Sequence, residues 1–355
     1  MPTKTSQGKP HFATLDGLRG IAALSVVILH WFEGLGFTFF GSSWFAVDFF
    51  FMLSGFVVAY SYEERLKNGF SFIKFMLLRV IRLYPMIFLG AIIGFIRFEG
   101  KYFVDNQQLS LELIFKLITT LMMVPESLLF QNNQLELFSI NIVFWSLFFE
   151  FIAYILFGAL LFRLKNVALW FIAFFAFIGV CFWLSTSFGN GEKLERVIAI
   201  DGFYRVAFSF SIGVILFRIR GGIGEYGKKL PMHLLILLLA FFMLPRNILP
   251  WYVYAFLMLM ILPMSIIVGI NTKFEGKFKT ITSFLGDISY PLYAIHTPLI
   301  WMLGFTVKRF SGHTEPNYVI WYGLIIIPFT IFLAHLALKL YDEPVRKWLK
   351  QKVLA

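Results

Sequence analysis

Charge is scarce in this chain. Lys, Arg, Asp and Glu make up 14% of its 355 residues, against about a quarter in ordinary soluble domains. Cysteine is scarcer: Cys181 stands alone inside an apolar run. One thiol excludes an internal disulfide, and one Cys with six His excludes a thiolate-based structural zinc site. A Walker loop, a GxGxxG after a strand, an HExxH and an EF-hand pattern are all missing. No repeat of solenoid length is visible. No polar stretch is long enough for a soluble catalytic domain, so any chemistry must sit among apolar segments or at their ends. Disorder, collagen, a disulfide scaffold and an ordinary soluble enzyme are excluded.

What the chain has in abundance is apolar surface. Hydrophobic residues make up 59% of it, and the mean hydropathy is +0.78. A membrane-spanning helix takes roughly 20 mostly apolar residues. The fold class expected is therefore all-α and polytopic, with about ten transmembrane helices. The spans fall near 18–37, 44–62, 83–97, 141–162, 167–186, 201–218, 231–245, 251–270, 289–307 and 317–340. The third and seventh are short. The run Leu111 to Phe130 contains Lys116 and the break at Pro125–Glu126, which makes it an interfacial or re-entrant piece. No small-residue cleavage site follows the first apolar core, so that span is expected to be retained. Residues 1–15 form an N-terminal tail, 16–342 the membrane domain and 343–355 a basic C-terminal tail.

The net charge of +11 is explained by where the basic residues fall. With the N-terminus in the cytoplasm, 22 of the 31 Lys and Arg lie on the cytoplasmic side, which the positive-inside rule favours. A full span at 111–130 would turn the RIRGGIGEYGKK loop and the basic tail outward. Both ends are therefore expected in the cytoplasm, and no nucleic-acid partner is implied. The partner is the lipid bilayer, and the localisation expected is the inner membrane. Nothing in the pattern specifies an oligomeric state.

Polar residues inside the spans carry the functional signal, because burying one in a bilayer is costly unless it pairs or lines a wet cavity. Arg19 and His30 are eleven residues apart in the first span, which places them on one helical face about 16 Å apart. Arg19 could be a positive-inside anchor. His30 lies deeper, and an imidazole titrates near neutral pH. Glu33 follows and could orient it. Asp48 opens the second span. Ser54 and Gly55 read as a close-approach pair. Arg79 and Arg82 share a face at i, i+3, suited to phosphate oxygens or to lipid headgroups, and Pro85 marks a kink or a helix start. Ser146, Glu150 and Tyr154, spaced by four, make a polar stripe. Ser289, Tyr293 and His296 share a face in the ninth span. Arg205 could pair with Asp201.

Five segments carry a resemblance. LDGLRGIAALSVVILH, VDFFFMLSGF, FMLLRVIRLYP, WSLFFEFIAY and ISYPLYAIH, in that order, resemble the acyltransferase 3 family of integral membrane acyltransferases over nearly the whole chain. The resemblance implies transfer of an acyl group, usually acetyl, from cytoplasmic acyl-CoA to a hydroxyl of a carbohydrate or glycolipid. No permanently bound cofactor or metal is implied; acyl-CoA is a substrate. Many members append an outer hydrolase-like domain, which is not expected here because the chain ends at LKQKVLA. The catalytic candidates are His30 as base or acyl carrier, with Arg19 and Glu150. Arg79 and Arg82 are the candidates for the nucleotide phosphates. Asp48, Ser146, Tyr154, Tyr293 and His296 are candidates for substrate binding or support. The rival classes are a proton-coupled transporter or channel and a structural subunit of a polysaccharide-export complex.

Overall fold

The computed structural model describes residues 12–33, 40–104, 111–126, 137–187, 198–227, 238, 240–245, 248–272, 276–311 and 316–354. These residues are helical, with no strand among them. In chain order the helices are α1 (Ala13–Glu33), α2 (Phe45–Lys67), α3 (Phe72–Val104), α4 (Leu111–Leu121), α5 (Phe144–Ala159), α6 (Asn166–Ser187), α7 (Ile198–Gly227), α8 (Trp251–Asn271), α9 (Gly276–Ser311), α10 (Pro316–Ala337) and α11 (Glu343–Leu354). A π-turn, Leu338–Asp342, joins the last two.

Seven segments among the described residues are long and apolar enough to cross a membrane. Five match expected spans closely, α1, α2, α6, α7 and α8, and a sixth, in α3, contains the expected third span. The seventh, Ile320–Val353, runs past the expected tenth span into α11. The expected fourth span is the shorter helix α5, and the expected ninth lies inside the long α9. The expected seventh span falls mostly outside the described residues. α3 is not the short helix expected. It runs unbroken for 33 residues with Pro85 inside it, so Pro85 is neither its start nor its end. Arg79 and Arg82 lie in the body of this helix, one turn before the proline.

Side-chain pairs give the relative sense of the helices. Asp48 and Glu63 of α2 meet Arg205 and Arg218 of α7, so those two helices run parallel. Arg19 reaches Ser289 while His30 reaches His296, so α1 and α9 also run parallel. Small residues let these pairs close: a Cβ on Gly55 or Gly213 would strike the backbone of Phe210 or Met52 across the α2–α7 seam. α3 runs parallel to α9, with Tyr290 on the carbonyl of Leu83 and Arg97 over Trp301. α5 runs opposite to α3, with Phe144 beside Gly90 and Gly158 beside Phe75, and α6 runs opposite to α7, with Asn166 on Arg218 and Gly179 against Tyr204. α2 and α7 share one sense only because the segment between α3 and α5 returns without crossing. α4 is 11 residues long, its end at Leu121 is met by Tyr84 of α3, and Ile140 lies beside Gly94. The described part of the run, residues 111–126, holds no helix long enough to span, and 127–130 lie outside the described residues.

Lipid contact explains the remaining apolar surface. On α6, Trp170, Phe171, Phe174, Phe175, Ile178 and Phe182 are all more than half exposed and form one stripe. α2, at the centre, is almost enclosed, with Phe45, Phe49, Met52 and Phe56 fully buried.

Candidate functional site

α1, α2, α3, α5 and α9 line a partly open cavity of about 100 Å³. Its polar lining is Arg19, Ser54, Arg79, Arg82, Ser146, Glu150, Tyr154, Ser289, Tyr290 and Tyr293; its apolar lining is mostly α2. The polar stripe of α5 and the Arg-x-x-Arg face of α3 thus converge on one space. Each helix contributes because its polar residues recur every three or four positions, the period of one helical face.

Three guanidinium groups face one carboxylate there. Arg19 is held by Ser289 Oγ at 2.7 Å, the carbonyl of Gly286 at 2.9 Å and Asp16 at 3.1 Å. Arg79 donates to the Tyr62 hydroxyl at 2.7 Å and lies 4.5 Å from that ring's centre, while its Nε is buried without a hydrogen-bond partner. Arg82 lines the cavity and forms no ion pair with any described carboxylate. Glu150 Oε1 accepts from Ser54 Oγ at 2.8 Å and from the Tyr154 hydroxyl. A site with this excess of positive charge and an unsatisfied guanidinium nitrogen is built for a multiply charged anion.

His30 is not in this cavity. Tyr293 is the shared wall: its ring packs edge-on against Phe50 at 5.4 Å, and its other side meets His296 at 5.8 Å. The Ser146 and Tyr293 hydroxyls lie 2.6 Å apart, and both reach the carbonyl of Val143, at 2.9 and 3.4 Å. Beyond the wall, His296 Nδ1 lies 2.8 Å from the carbonyl of Tyr293 and 3.1 Å from that of Leu292. Carbonyls only accept, so Nδ1 carries the proton and Nε2 is an acceptor. It lies 3.1 Å from the Thr297 hydroxyl and 3.3 Å from His30 Nδ1. His30 Nδ1 is also 2.9 Å from the carbonyl of Val26. With acceptors on both sides, His30 Nδ1 must be the protonated nitrogen. The lone pair is then on His30 Nε2, the nitrogen a base would use.

The remaining candidates sort by these distances. Arg19 and His30 both face α9, but Arg19 and Glu150 stand with the anion cavity and do not reach the imidazole. Asp48 is fully buried in a bidentate pair with Arg205, at 2.7 and 3.1 Å, away from the cavity. Arg205 also donates to the carbonyl of Trp44 and lies between Trp145 and Trp183. Asp48 is therefore a tie between α2 and α7 rather than a substrate contact, and Arg205 reaches across to it instead of being held within its own helix by Asp201. Glu33 accepts from Trp44 Nε1 at 3.0 Å rather than from His30. Two cavity residues escaped the sequence reading. Ser54 was legible only as part of a Ser-Gly packing pair, whereas Gly55 makes the close approach and Ser54 binds Glu150. Tyr290 sits among aromatics common throughout the chain.

This fold and site define a multi-pass helical membrane protein with a cationic cavity on one side of an aromatic wall and a histidine pair on the other. The chain belongs to the acyltransferase 3 family: the family's acyltransferase-domain model matches residues 12–338. It is similar to "Protein 2 in picA locus" of Rhizobium radiobacter, with 36% identity over 167 residues covering 41% of this chain and 81% of the relative. No solved structure matches.

Proposed function

We propose that this acyltransferase moves an acetyl or other short acyl group from acyl-CoA to a hydroxyl of a carbohydrate or glycolipid, across the inner membrane. The observation that carries the reading is the cavity with three Arg to one Glu and an orphaned Arg79 nitrogen, which suits the phosphates of CoA. The positive-inside distribution of basic residues supports a cytoplasmic position for this face, where acyl-CoA resides. Arg79 and Arg82 hold the diphosphate, and Arg19 lies further along the path of the pantetheine arm. From Arg19 to His30 is about 16 Å along the helix, a distance an extended arm covers once the Phe50 and Tyr293 rings swing aside.

At the far side, His30 Nε2 takes the proton of the acceptor hydroxyl as its oxygen attacks the thioester carbonyl. The tetrahedral intermediate collapses with cleavage of the C–S bond, and the CoA thiolate leaves and is protonated by the imidazolium. Attack by His30 Nε2 itself, giving an acyl-imidazole that the hydroxyl then relieves, uses the same tautomer. Ser54 and Tyr154 keep Glu150 ordered beside the guanidinium groups, where it offsets part of their charge.

The test is transfer of label from acetyl-CoA by purified protein in liposomes, with glycans extracted from the native host as acceptor. Labelled glycan that depends on His30 supports the reading. Release of no CoA thiol with any acceptor, together with proton-coupled solute uptake, would replace it with a transporter.

A further inference from the structure

The basic C-terminal segment reads in the sequence as a tail that satisfies the positive-inside rule. It is instead a helix, α11, that continues α10 through the π-turn and packs against α3. The π-turn makes this possible by displacing the helix path at Leu338–Asp342. α11 lies outside residues 12–338, the part matched by the family.

Its basic residues are arranged, not scattered. Arg346 and Lys350 are one turn apart on one face. Arg346 is held by Asp342 at 2.6 Å, and that carboxylate is buried with no hydrogen bond to either oxygen. Arg346 Nε is likewise buried without a partner. Lys350 lies within electrostatic range of Arg79, Arg82 and Arg346 together, with Asp342 the one acidic neighbour that acts on it appreciably. Asp342 in turn feels Arg346, Arg82 and Lys350, and the neighbouring carboxylate of Glu343. Four cations around one buried carboxylate repel each other, and the repulsion is relieved when an anion enters.

Resting on the donor reading above, we propose that α11 completes the donor site, with Arg346 and Lys350 binding the 3′-phosphate of the CoA nucleotide. The assignment follows from the order of groups in that molecule. Arg79 and Arg82 line the cavity and take the diphosphate next to the pantetheine arm. α11 stands outside the cavity, where the ribose and its 3′-phosphate must lie. Asp342 is a positioning residue that aims Arg346.

The test compares binding of CoA and 3′-dephospho-CoA to the full-length protein in detergent, by calorimetry. Lys350→Ala and Arg346→Gln should each weaken CoA roughly tenfold, the size of one charge-assisted contact. Both variants should leave 3′-dephospho-CoA affinity where wild type has it, and Lys350→Arg should retain CoA binding. Lys350 is exposed, so its variants isolate the effect from folding even if Arg346→Gln is unstable. Equal loss for both ligands, or loss for neither, overturns the role of α11 and leaves the donor reading intact. A wild type that binds neither ligand overturns both. An anionic lipid headgroup is the other source of phosphate. Repeating the titration in nanodiscs with and without phosphatidylglycerol separates it: a Lys350 effect seen only as lost lipid retention, with CoA affinity unchanged, overturns the proposal.

Discussion

Replacing Asp48 by Ala tests whether it is a structural tie or part of the site. In the native protein its carboxylate takes three hydrogen bonds from Arg205, between 2.7 and 3.2 Å. Asp48 is fully buried and Arg205 is 3% exposed, so water does not screen the pair. Alanine leaves a guanidinium inside the bundle with one backbone carbonyl, that of Trp44, and two indole faces as company. Breaking a buried pair by removing one partner costs about 3–5 kcal/mol. The Trp145 and Trp183 faces, at 5.0 and 4.5 Å from the guanidinium carbon, recover part of that, so about 3 kcal/mol is the expected loss. The assay is thermal unfolding in detergent followed by tryptophan fluorescence, alongside CoA binding below the transition. The single variant should unfold at clearly lower temperature and bind CoA as wild type does. The double variant Asp48→Leu with Arg205→Met, which removes both charges and keeps volume, should recover most of the stability. Unchanged unfolding temperature with lost CoA binding or lost transfer would refute the reasoning and return Asp48 to the candidates for substrate binding.

Other outcomes follow from the same geometry. His30→Gln keeps size and hydrogen bonding but cannot act as a base, so transfer should fall by at least about a hundredfold in liposomes with stability close to normal; retention of more than about a tenth of the rate would rule out general-base work. His296→Phe removes the acceptor that fixes His30 Nδ1–H, and should lower the rate and alter its pH profile while donor affinity stays constant; an unchanged profile would mean that Val26 alone sets the tautomer. Ala at both Arg79 and Arg82 should weaken CoA binding more than acceptor use, with Lys at both positions restoring it only in part because a point charge lacks the planar fork; unchanged CoA affinity would favour lipid anchoring. A cysteine placed at Lys352, after Cys181→Ser, should resist membrane-impermeant maleimide in intact cells, and ready labelling would invert the orientation drawn from the basic residues.

Much of this organisation was legible without coordinates, because a bilayer leaves helices little choice. Composition fixes the environment, hydropathy marks the spans, and cost makes each intramembrane polar residue conspicuous. The helical period alone places Arg19 with His30, Arg79 with Arg82, and Ser146 with Glu150 and Tyr154. Those faces reappear in the structure because a single helix is a local object whose geometry depends only on its own backbone. Which face meets which is a property of several helices at once. Only the tertiary structure separates Arg19 and Glu150 from His30 by the Tyr293 wall, since residues on one helix face still differ in depth. Long-range partners were beyond reach for the same reason. Asp48 meets Arg205 at a separation of 157 positions, and His30 meets His296 at 266. Local rules preferred the near neighbours Asp201 and Glu33. The C-terminal segment makes the point in reverse: its charges are plain in the sequence, but only the tertiary structure shows that it is a helix packed against α3.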